Sequence, residues 1–559
     1  MQKTGTTASA TKGPGPAPGN RFEGGNLLVR ALLDLGVRQI FSVSGGPLNS
    51  IYHACAVEGL PLKHTRHESA ACFMAEAVSR TSGVPGVAAV TLGPGVTNAV
   101  TPALVAKMAS VPLLIIGAQA DTRSFERGAG MSADHIPIMA PVTKWSARVL
   151  ETRRIPEYVE IAWRRMWAGT PGPVFLEIPV NVLAAAAEPQ PRLAVDTAGP
   201  GIDIRDPAPL RLAVEQARRP LLILGNDVRW DGIGRAVELI EKNHLPFVTM
   251  RLARGAIDER HELWAGPGYS PCNAALRTAL AEADLIMLVG HTLEFDLDYG
   301  RSIAPGARIV QCNRDADAIG RNRRADFGFA CSADLLIDAL AAMPFASVER
   351  AWTDGVVRAW REEHRAQLGT SGGQPLHPVE AIDAVLEAVP PDTLFVTSHG
   401  NVDFWADARI RVRSGDTYLR AGQAGALGTE IPYGVGASFV RPDSPVVVFV
   451  GDGGVGYHVT ELETAVRYGR HVIIVVLDDE KWAAIALPQR DSYGGEYEMD
   501  LPRRDWHQVA EGLGAAGMRA STVAEIKAAV AAAVAGRKAS LVQVPVRAVL
   551  SPYMAYISR

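Results

Sequence analysis

The feature that most constrains this chain is an alternation that recurs along most of its length. Short, unbroken apolar runs, many ending at glycine or a small polar residue, are separated by stretches with helical spacing. RQIFSVSG, GVAAVTLG, VPLLIIGA and PVFLEIPV come first; PLLILG, PFVTM, LIMLVG and RIVQC follow; TLFVTSHG, SPVVVFVGDGG, HVIIVVLDD and SLVQVPV close the series. Runs with no polar face belong to strands buried on both sides, and helical crossovers between them build a parallel sheet. The pattern predicts an α/β protein of three doubly wound parallel-sheet domains. Two stretches lack such runs, AAAAEPQPRLAVDTAGPG (184–201) and RAQLGTSGGQP (365–375), and mark the joints. The expected units are 21–184, 202–345 and 375–550, each of ordinary domain size. Residues 1–20 are rich in Gly, Pro, Ser and Thr and cannot bury enough surface to offset ordering, so a disordered tail is expected there.

A net charge of −4 over 559 residues leaves no basic excess to attract nucleic acid. The apolar runs fall far short of the roughly 20 residues that a membrane span needs. Neither nucleic acid nor membrane is an expected partner. The five cysteines are odd in number and include no C-x-x-C, which argues against a disulfide framework or a structural zinc and points to a reducing cytoplasm.

The sharpest motif is Gly451-Asp452-Gly453-Gly454-Val455-Gly456, set between the run VVVFV and the helical pattern VTELETAVRYG. It also fits G-x-G-x-x-G, the dinucleotide fingerprint. Two details favour another reading. An Asp inside the glycine turn puts negative charge where a pyrophosphate would lie, and the acids at the next strand end, Asp478 and Asp479, begin 27 positions after Gly451, whereas a ribose-binding acid is expected about 20 residues on. A cation resolves the repulsion. Asp452 and Asp479, at neighbouring strand ends, would together hold Mg²⁺, whose remaining shell takes phosphate oxygens, while Gly453 and Gly454 let backbone N–H groups approach those oxygens. The metal–diphosphate reading stands first, with dinucleotide binding and an ordinary structural turn behind it.

On this spacing the chain resembles the thiamine-diphosphate-dependent superfamily of acetolactate synthase, benzaldehyde lyase and oxalyl-CoA decarboxylase, over nearly everything but the tail. The resemblance implies three domains of the thiamine-diphosphate enzyme type, binding pyrimidine, serving as a central unit, and binding diphosphate. It implies Asp452 and Asp479 as side-chain metal ligands and the backbone carbonyl of Lys481 as a third. Asp478-Asp479 departs from the usual Asn-Asn, which adds charge at the ligand. Glu68, in TRHESAA, matches the family glutamate that bonds N1′ of the aminopyrimidine; without the resemblance it reads as a first-turn acid favoured by the helix dipole. Gly425-Ala426-Leu427-Gly428 matches the turn whose bulky residue props the bent cofactor, with the Gly425 carbonyl and the Leu427 amide on the pyrimidine edge. Gly400 and Asn401, after TLFVT, would help hold the diphosphate. Gly93-Pro94-Gly95 matches a turn abutting the cofactor of a second subunit, so the resemblance implies a homodimer or homotetramer with active sites at the subunit interface.

The substrate side is drawn less firmly. Pro47, in Ser44-Gly45-Gly46-Pro47, stands where benzaldehyde lyase has a histidine, so Gly46 and Pro47 are candidate pocket residues together with Asp403, Trp482 and Ala484. His67, His399 and His458 are further candidates for proton transfer. The central unit lacks a glycine fingerprint after Leu285–Gly290 and is expected to be structural, without FAD, its arginines 321, 323 and 324 forming a solvated face. The expected function is a thiamine-diphosphate- and Mg²⁺-dependent carbon–carbon lyase/ligase. It would act on 2-keto acids, acyloins and aldehydes through an enamine/carbanion intermediate. The alternatives are an enzyme like 2-hydroxyacyl-CoA lyase or oxalyl-CoA decarboxylase and, from another class, a nicotinamide- or flavin-dependent oxidoreductase built on residues 451–479.

Overall fold

The structure is a computed structural model and describes residues 22–191, 201–367, 369 and 372–554. The expected tail lies outside them. The described residues form three six-stranded sheets in which the strands pair in parallel. The unbroken apolar runs sit inside the sheets. Leu113–Gln119, Pro173–Pro179, Leu285–Val289 and Val472–Asp478 are buried at every position, as strands covered by helices on both faces must be.

The sequence pattern passes over the edge strands of all three sheets: Leu62–His64, Trp145–Arg148, Trp264–Pro267, Phe327–Ala330, Tyr418–Arg420 and Ala516–Arg519. Four of them are partly exposed, and Trp264–Pro267 and Tyr418–Arg420 are buried but short, so none carries a long continuous apolar run. A second difference lies past the central sheet. The helix Arg350–Gln367 begins after the expected end of the central unit at 345 and runs into the expected joint. Its Val356, Val357 and Trp360 nevertheless pack into the central core, because its other face, rich in Arg and Glu, can remain in water.

The first and third sheets share one strand order, second-first-third-fourth-sixth-fifth within each unit, while the central sheet runs sixth-fifth-fourth-first-second-third. The order therefore reverses between Ile40–Ser42 and Gly86–Val90 in the first sheet, and between Leu394–Thr397 and Val446–Gly451 in the third.

The first and third units share one continuous core. Its seam is the packing of helix Glu68–Ser82 on helix Glu430–Val440. Phe73 meets Tyr433 edge-on at 5.9 Å between ring centroids. A Cβ built at Gly436 would lie 2.5 Å from the Met74 carbonyl oxygen and 2.7 Å from its Cα. Backbone cannot step aside as a side-chain tip can, so the contact depends on glycine. Gly436→Val should therefore push the helices apart and cost about 1–3 kcal/mol or more, in line with other overpacked interiors, seen as a lower urea midpoint. Gly355→Ala, in helix Arg350–Gln367 with only the Arg358 side chain at 4.0 Å, should hold or raise that midpoint because alanine favours helix.

Candidate active site

In an open α/β sheet, the reversal of strand order opens a crevice at the carboxyl ends of the strands, and ligands bind there. At the third sheet's reversal lies a cavity of ≈ 300 Å³. Loop 399–404, the turn 451–454, the segment 479–485, the turn at Gly425 and Leu427, and Met554 near the C-terminus line it.

The register of two strands builds its polar end. Gly451 pairs with Leu477, so Asp452 and Asp478 leave the sheet side by side, and the carboxyl of Asp479, one residue on, reaches hydrogen-bonding distance of Asp452. Burial, and then the neighbouring acids, push both carboxyls well above the usual carboxylate range. Two such groups hold either a shared proton or a cation, and an all-oxygen donor pair suits Mg²⁺. Glu480 takes φ 53°, a left-handed value that strains a residue with a side chain, and the residues on either side of it, Asp479 and Lys481, both line the cavity. The Lys481 ammonium is engaged by Glu496 and Asp500.

Gly453 has no room for a side chain, since its Cβ would sit 2.3 Å from the Trp482 ring. Gly425 and Gly428 hold φ of 67° and 78°; between them Leu427 lines the cavity. Phe404, Leu427, Trp482, Ala484, Ile485 and Met554 give the cavity an apolar side.

The loop after Leu394–Thr397 is held differently from what its motif suggests. The buried Asp403 carboxylate accepts the N–H of Ser398 at 2.8 Å and of Gly400 at 2.9 Å. Burial nevertheless raises this carboxyl above its usual range. The Asn401 side chain donates to the Val549 carbonyl at 2.8 Å and accepts from the Ser551 N–H at 2.7 Å. Both Gly400 and Asn401 line the cavity, but the Gly400 N–H and the Asn401 amide are engaged within the protein. His399 is held neutral by burial and by Arg420 and Arg251 nearby.

Gly46, Pro47 and Glu68 do not line this cavity. They gather instead at the first sheet's own reversal. Gly46 and Pro47 open the short turn Gly46–Leu48. Glu68 begins helix Glu68–Ser82 and its Oε2 accepts from Asn98 Nδ2 at 2.9 Å, in the Gly93-Pro94-Gly95 turn region. Next to Glu68, Ser69 Oγ contacts His67 Nδ1 at 2.7 Å and His458 Nε2 at 2.8 Å, and His458 Nδ1 meets the Gly428 carbonyl at 2.7 Å. Within one chain these residues therefore stand apart from the cavity.

The residue that sequence reasoning missed is Glu430. It lines the cavity, is 1% exposed, and begins helix Glu430–Val440. Its only sequence signal is an acid at a helix start, which helix-dipole stabilisation explains equally well. In the central sheet, a polar cleft of ≈ 540 Å³ includes Asn226, Asp227, Gly290 and Arg321. Arg323 donates to the carbonyls of Ile303 and Ala304 at 2.7 and 2.6 Å rather than standing on a solvated face. The expectation of a purely structural central unit thus rests on the missing glycine fingerprint, not on a closed sheet edge.

The facing carboxyls, the side-chain-free turn beside them and the propped Leu427 fit a metal–diphosphate headgroup joined to a flat, apolar ring system. Comparison with known proteins agrees. Residues 22–138 match the thiamine pyrophosphate enzyme N-terminal TPP binding domain, 211–340 the central domain, and 398–544 the C-terminal TPP binding domain. The chain is 31% identical over 553 residues to human 2-hydroxyacyl-CoA lyase 2, covering 89% of this chain and 84% of the relative. It is 28% identical over 555 residues to the acetolactate synthase large subunit IlvG of Mycobacterium tuberculosis, covering 97% and 98%. It is 27% identical over 525 residues to the acetolactate synthase isozyme 1 large subunit of Escherichia coli, covering 92% and 90%. Among the described residues no helix is long and apolar enough to cross a membrane.

The hold of Asn401 on the C-terminal segment gives a direct test. Asn401→Ala removes both of its bonds to Val549 and Ser551. With each buried bond worth about 1 kcal/mol, the segment should open more often, and trypsin should cut after Arg547 several-fold faster than in the parent protein.

Proposed function

The chain belongs to the thiamine pyrophosphate enzyme family and is a thiamine-diphosphate-dependent enzyme that makes or breaks carbon–carbon bonds; within that family we propose a lyase/carboligase for 2-keto acids, acyloins and aldehydes, working with Mg²⁺ in a homodimer or homotetramer. The observation that carries the substrate class is the apolar side of the cavity formed by Phe404, Leu427, Trp482, Ile485 and Met554. Lys481 supplies the one ammonium among the described lining residues, and Glu496 and Asp500 engage it. Such a surface suits an uncharged aldehyde or acyloin better than the phosphates of a CoA ester. The second reading, a 2-hydroxyacyl-CoA lyase, is favoured by the human relative of that name. The oxidoreductase alternative falls with the family assignment.

Bound thiamine diphosphate supplies an electron sink for the pair left when a bond beside a carbonyl breaks. The chain's own groups do the rest. Asp452, Asp479 and the Lys481 carbonyl would hold Mg²⁺. Backbone N–H groups of Gly453 and Gly454, with the first turn of helix Asn401–Arg409, hold the diphosphate, Gly400 serving to shape that turn. Leu427 would prop the cofactor, and the Gly425 carbonyl and Leu427 amide would bond its pyrimidine edge. Glu68 holds a proton at N1′, and Trp482 and Ala484 border the substrate; Asp403 acts by fixing loop 398–400. Gly46 and Pro47 would approach from the other subunit along with Glu68. The separation of the Glu68 half-site from the cavity within one chain supports the subunit-interface arrangement. The domain units we infer are 21–184, 202–367 and 375–550, supported by sheets confined to 40–179, 220–330 and 394–545 and by the helix that extends the central core. A reducing, cytoplasmic setting is supported by five free cysteines.

The deciding assay offers thiamine diphosphate and Mg²⁺ with pyruvate or benzoylformate plus an aldehyde, with benzoin-type acyloins, and with a 2-hydroxyacyl-CoA. Turnover confined to the CoA substrate would replace the first reading by the second.

Two single variants test the interface. Asp452→Ala should lose cofactor-dependent activity while keeping the fold. Glu68→Gln should keep the cofactor but lose about 10²–10⁴-fold in turnover, the usual contribution of a general acid–base group. When the two inactive proteins are unfolded together and refolded as a mixture, hybrid dimers regain one intact site, and activity should return to about a quarter of the parent's, the share set by random C₂ pairing. A mixture as inactive as its parts would place Glu68 and Asp452 of one chain in the same site.

A further inference from the structure

The cavity presents a charge problem. Asp403, Glu430, Asp452 and Asp479 all line it, and its one lysine ammonium is engaged elsewhere. A diphosphate brought to four ionised carboxylates would be repelled. A cation between Asp452 and Asp479 neutralises two of them, and Asp403 accepts two backbone N–H groups. Glu430 has no cation beside it among the described residues.

Its surroundings define its state. Glu430 stands at the start of helix Glu430–Val440, its side chain near Ser398 and Asp403. Ser398 and the backbone of Gly428 and of Glu430 itself favour its charged form, but burial outweighs them and the nearby Asp403 adds to it, holding the carboxyl well above the usual carboxylate range. Its Oε2 meets no partner among the described residues. Its Oε1 lies 3.6 Å from where a Cβ at Gly454 would be, beside the turn expected to cradle phosphate. The charged group acting on it is Asp403 on helix Asn401–Arg409, and Asp452 and the neutral His399 line the same cavity. No cation faces it. A buried carboxyl without a cation persists as the neutral acid, and a neutral acid carries an O–H that needs an acceptor. The donor supply of the cavity is short as well, because the Gly400 N–H and the Asn401 amide are already engaged.

We propose that Glu430 is a cofactor-binding residue, a neutral carboxylic acid at the cavity floor whose O–H donates to an oxygen of the diphosphate. This rests on the thiamine-diphosphate reading above and adds a contact that no glycine or metal supplies. An O–H directed at a phosphate oxygen makes a charge-assisted bond, short and stronger than a neutral pair. It also explains how an acid can lie at the floor of an anion site: donation requires the proton, and the anion favours keeping it there.

The test compares Glu430→Gln, which keeps size and a donor, with Glu430→Leu, which keeps volume and has neither donor nor charge. Folding is checked by circular dichroism, and tryptophan quenching in saturating Mg²⁺ reads affinity for thiamine diphosphate and for thiamine, which lacks the phosphates. The expected result is that Glu430→Gln binds thiamine diphosphate within about threefold of the parent, while Glu430→Leu binds it about 10–100-fold more weakly, the loss typical of a hydrogen bond to a charged group. Affinity for thiamine should be unchanged in both. Three outcomes overturn the inference: equal thiamine diphosphate affinity in Glu430→Leu; tighter binding in Glu430→Gln, the sign of an ionised, repelling glutamate; or equal weakening for thiamine and thiamine diphosphate, the sign of a collapsed pocket. In each the cofactor reading stands. Failure of the parent protein to bind thiamine diphosphate with Mg²⁺ would overturn that reading and this inference together.

Discussion

The in-register pairing of Val446–Gly451 with Val472–Asp478 is the constraint on which the active-site region depends. Because Gly451 lies opposite Leu477, two acids leave the sheet together and a third follows within reach of the first. A shift of one residue would turn every side chain of the strand to the other face of the sheet, burying some acids among helices and pulling Asp452 away from Asp479. The continuous apolar character of both strands cannot fix that register by alternation, since both faces are buried. What holds it is the number of paired positions and the packing of Val448, Val450, Ile474 and Val476 into the core shared with the first unit. The stability of that shared core and the geometry of the carboxyl pair are therefore one property.

The same core joins the Glu68 region to the cavity mechanically. Helix Glu68–Ser82 starts at the proposed pyrimidine residue, and helix Glu430–Val440 starts at the acid on the cavity floor; the two pack on each other through Gly436 and the Phe73–Tyr433 contact. Ser69, His458 and the Gly428 carbonyl add a polar link between the start of the first helix and the turn that carries Leu427. If the sites are completed across a subunit interface, each chain ties its Glu68, serving one site, to its Leu427, serving the other.

What the sequence made legible follows from burial. Strands covered on both faces announce themselves as unbroken apolar runs, and the alternation of these with helices is enough for three parallel sheets. Edge strands such as Trp145–Arg148 and Ala516–Arg519 expose part of their surface and carry no such mark. Within the site, glycines and acids at fixed spacing were legible because the backbone itself imposes that spacing: Asp452 and Asp479 lie at two adjacent strand ends. The roles of Gly400 and Asn401 were less so, because their partners come from elsewhere in the fold, Asp403 one turn into a helix and Val549 and Ser551 from almost 150 residues downstream. Glu430 was invisible for a related reason: a lone helix-start acid has an ordinary explanation, and only its burial and its orphaned oxygen set it apart.

The density of acid in the cavity also limits how it can fill. Neither diphosphate nor divalent cation suits it alone: the anion meets carboxylates, and the cation meets a carboxyl pair that burial has driven toward holding its proton. Under the proposed reading each would remove the other's cost, the cation by displacing that proton and screening the phosphates, the phosphates by supplying further oxygen ligands to the cation. Under the proposed reading, binding of the two is thus strongly coupled, and the coupling is reciprocal by linkage. Asp479 in place of an amide shifts that balance toward the metal, since it adds a charge that only a cation relieves. The extra acid at the metal end and the neutral acid at the floor are then complementary. One strengthens the hold on Mg²⁺, and the other lets the phosphates enter a site that would otherwise be too negative to receive them.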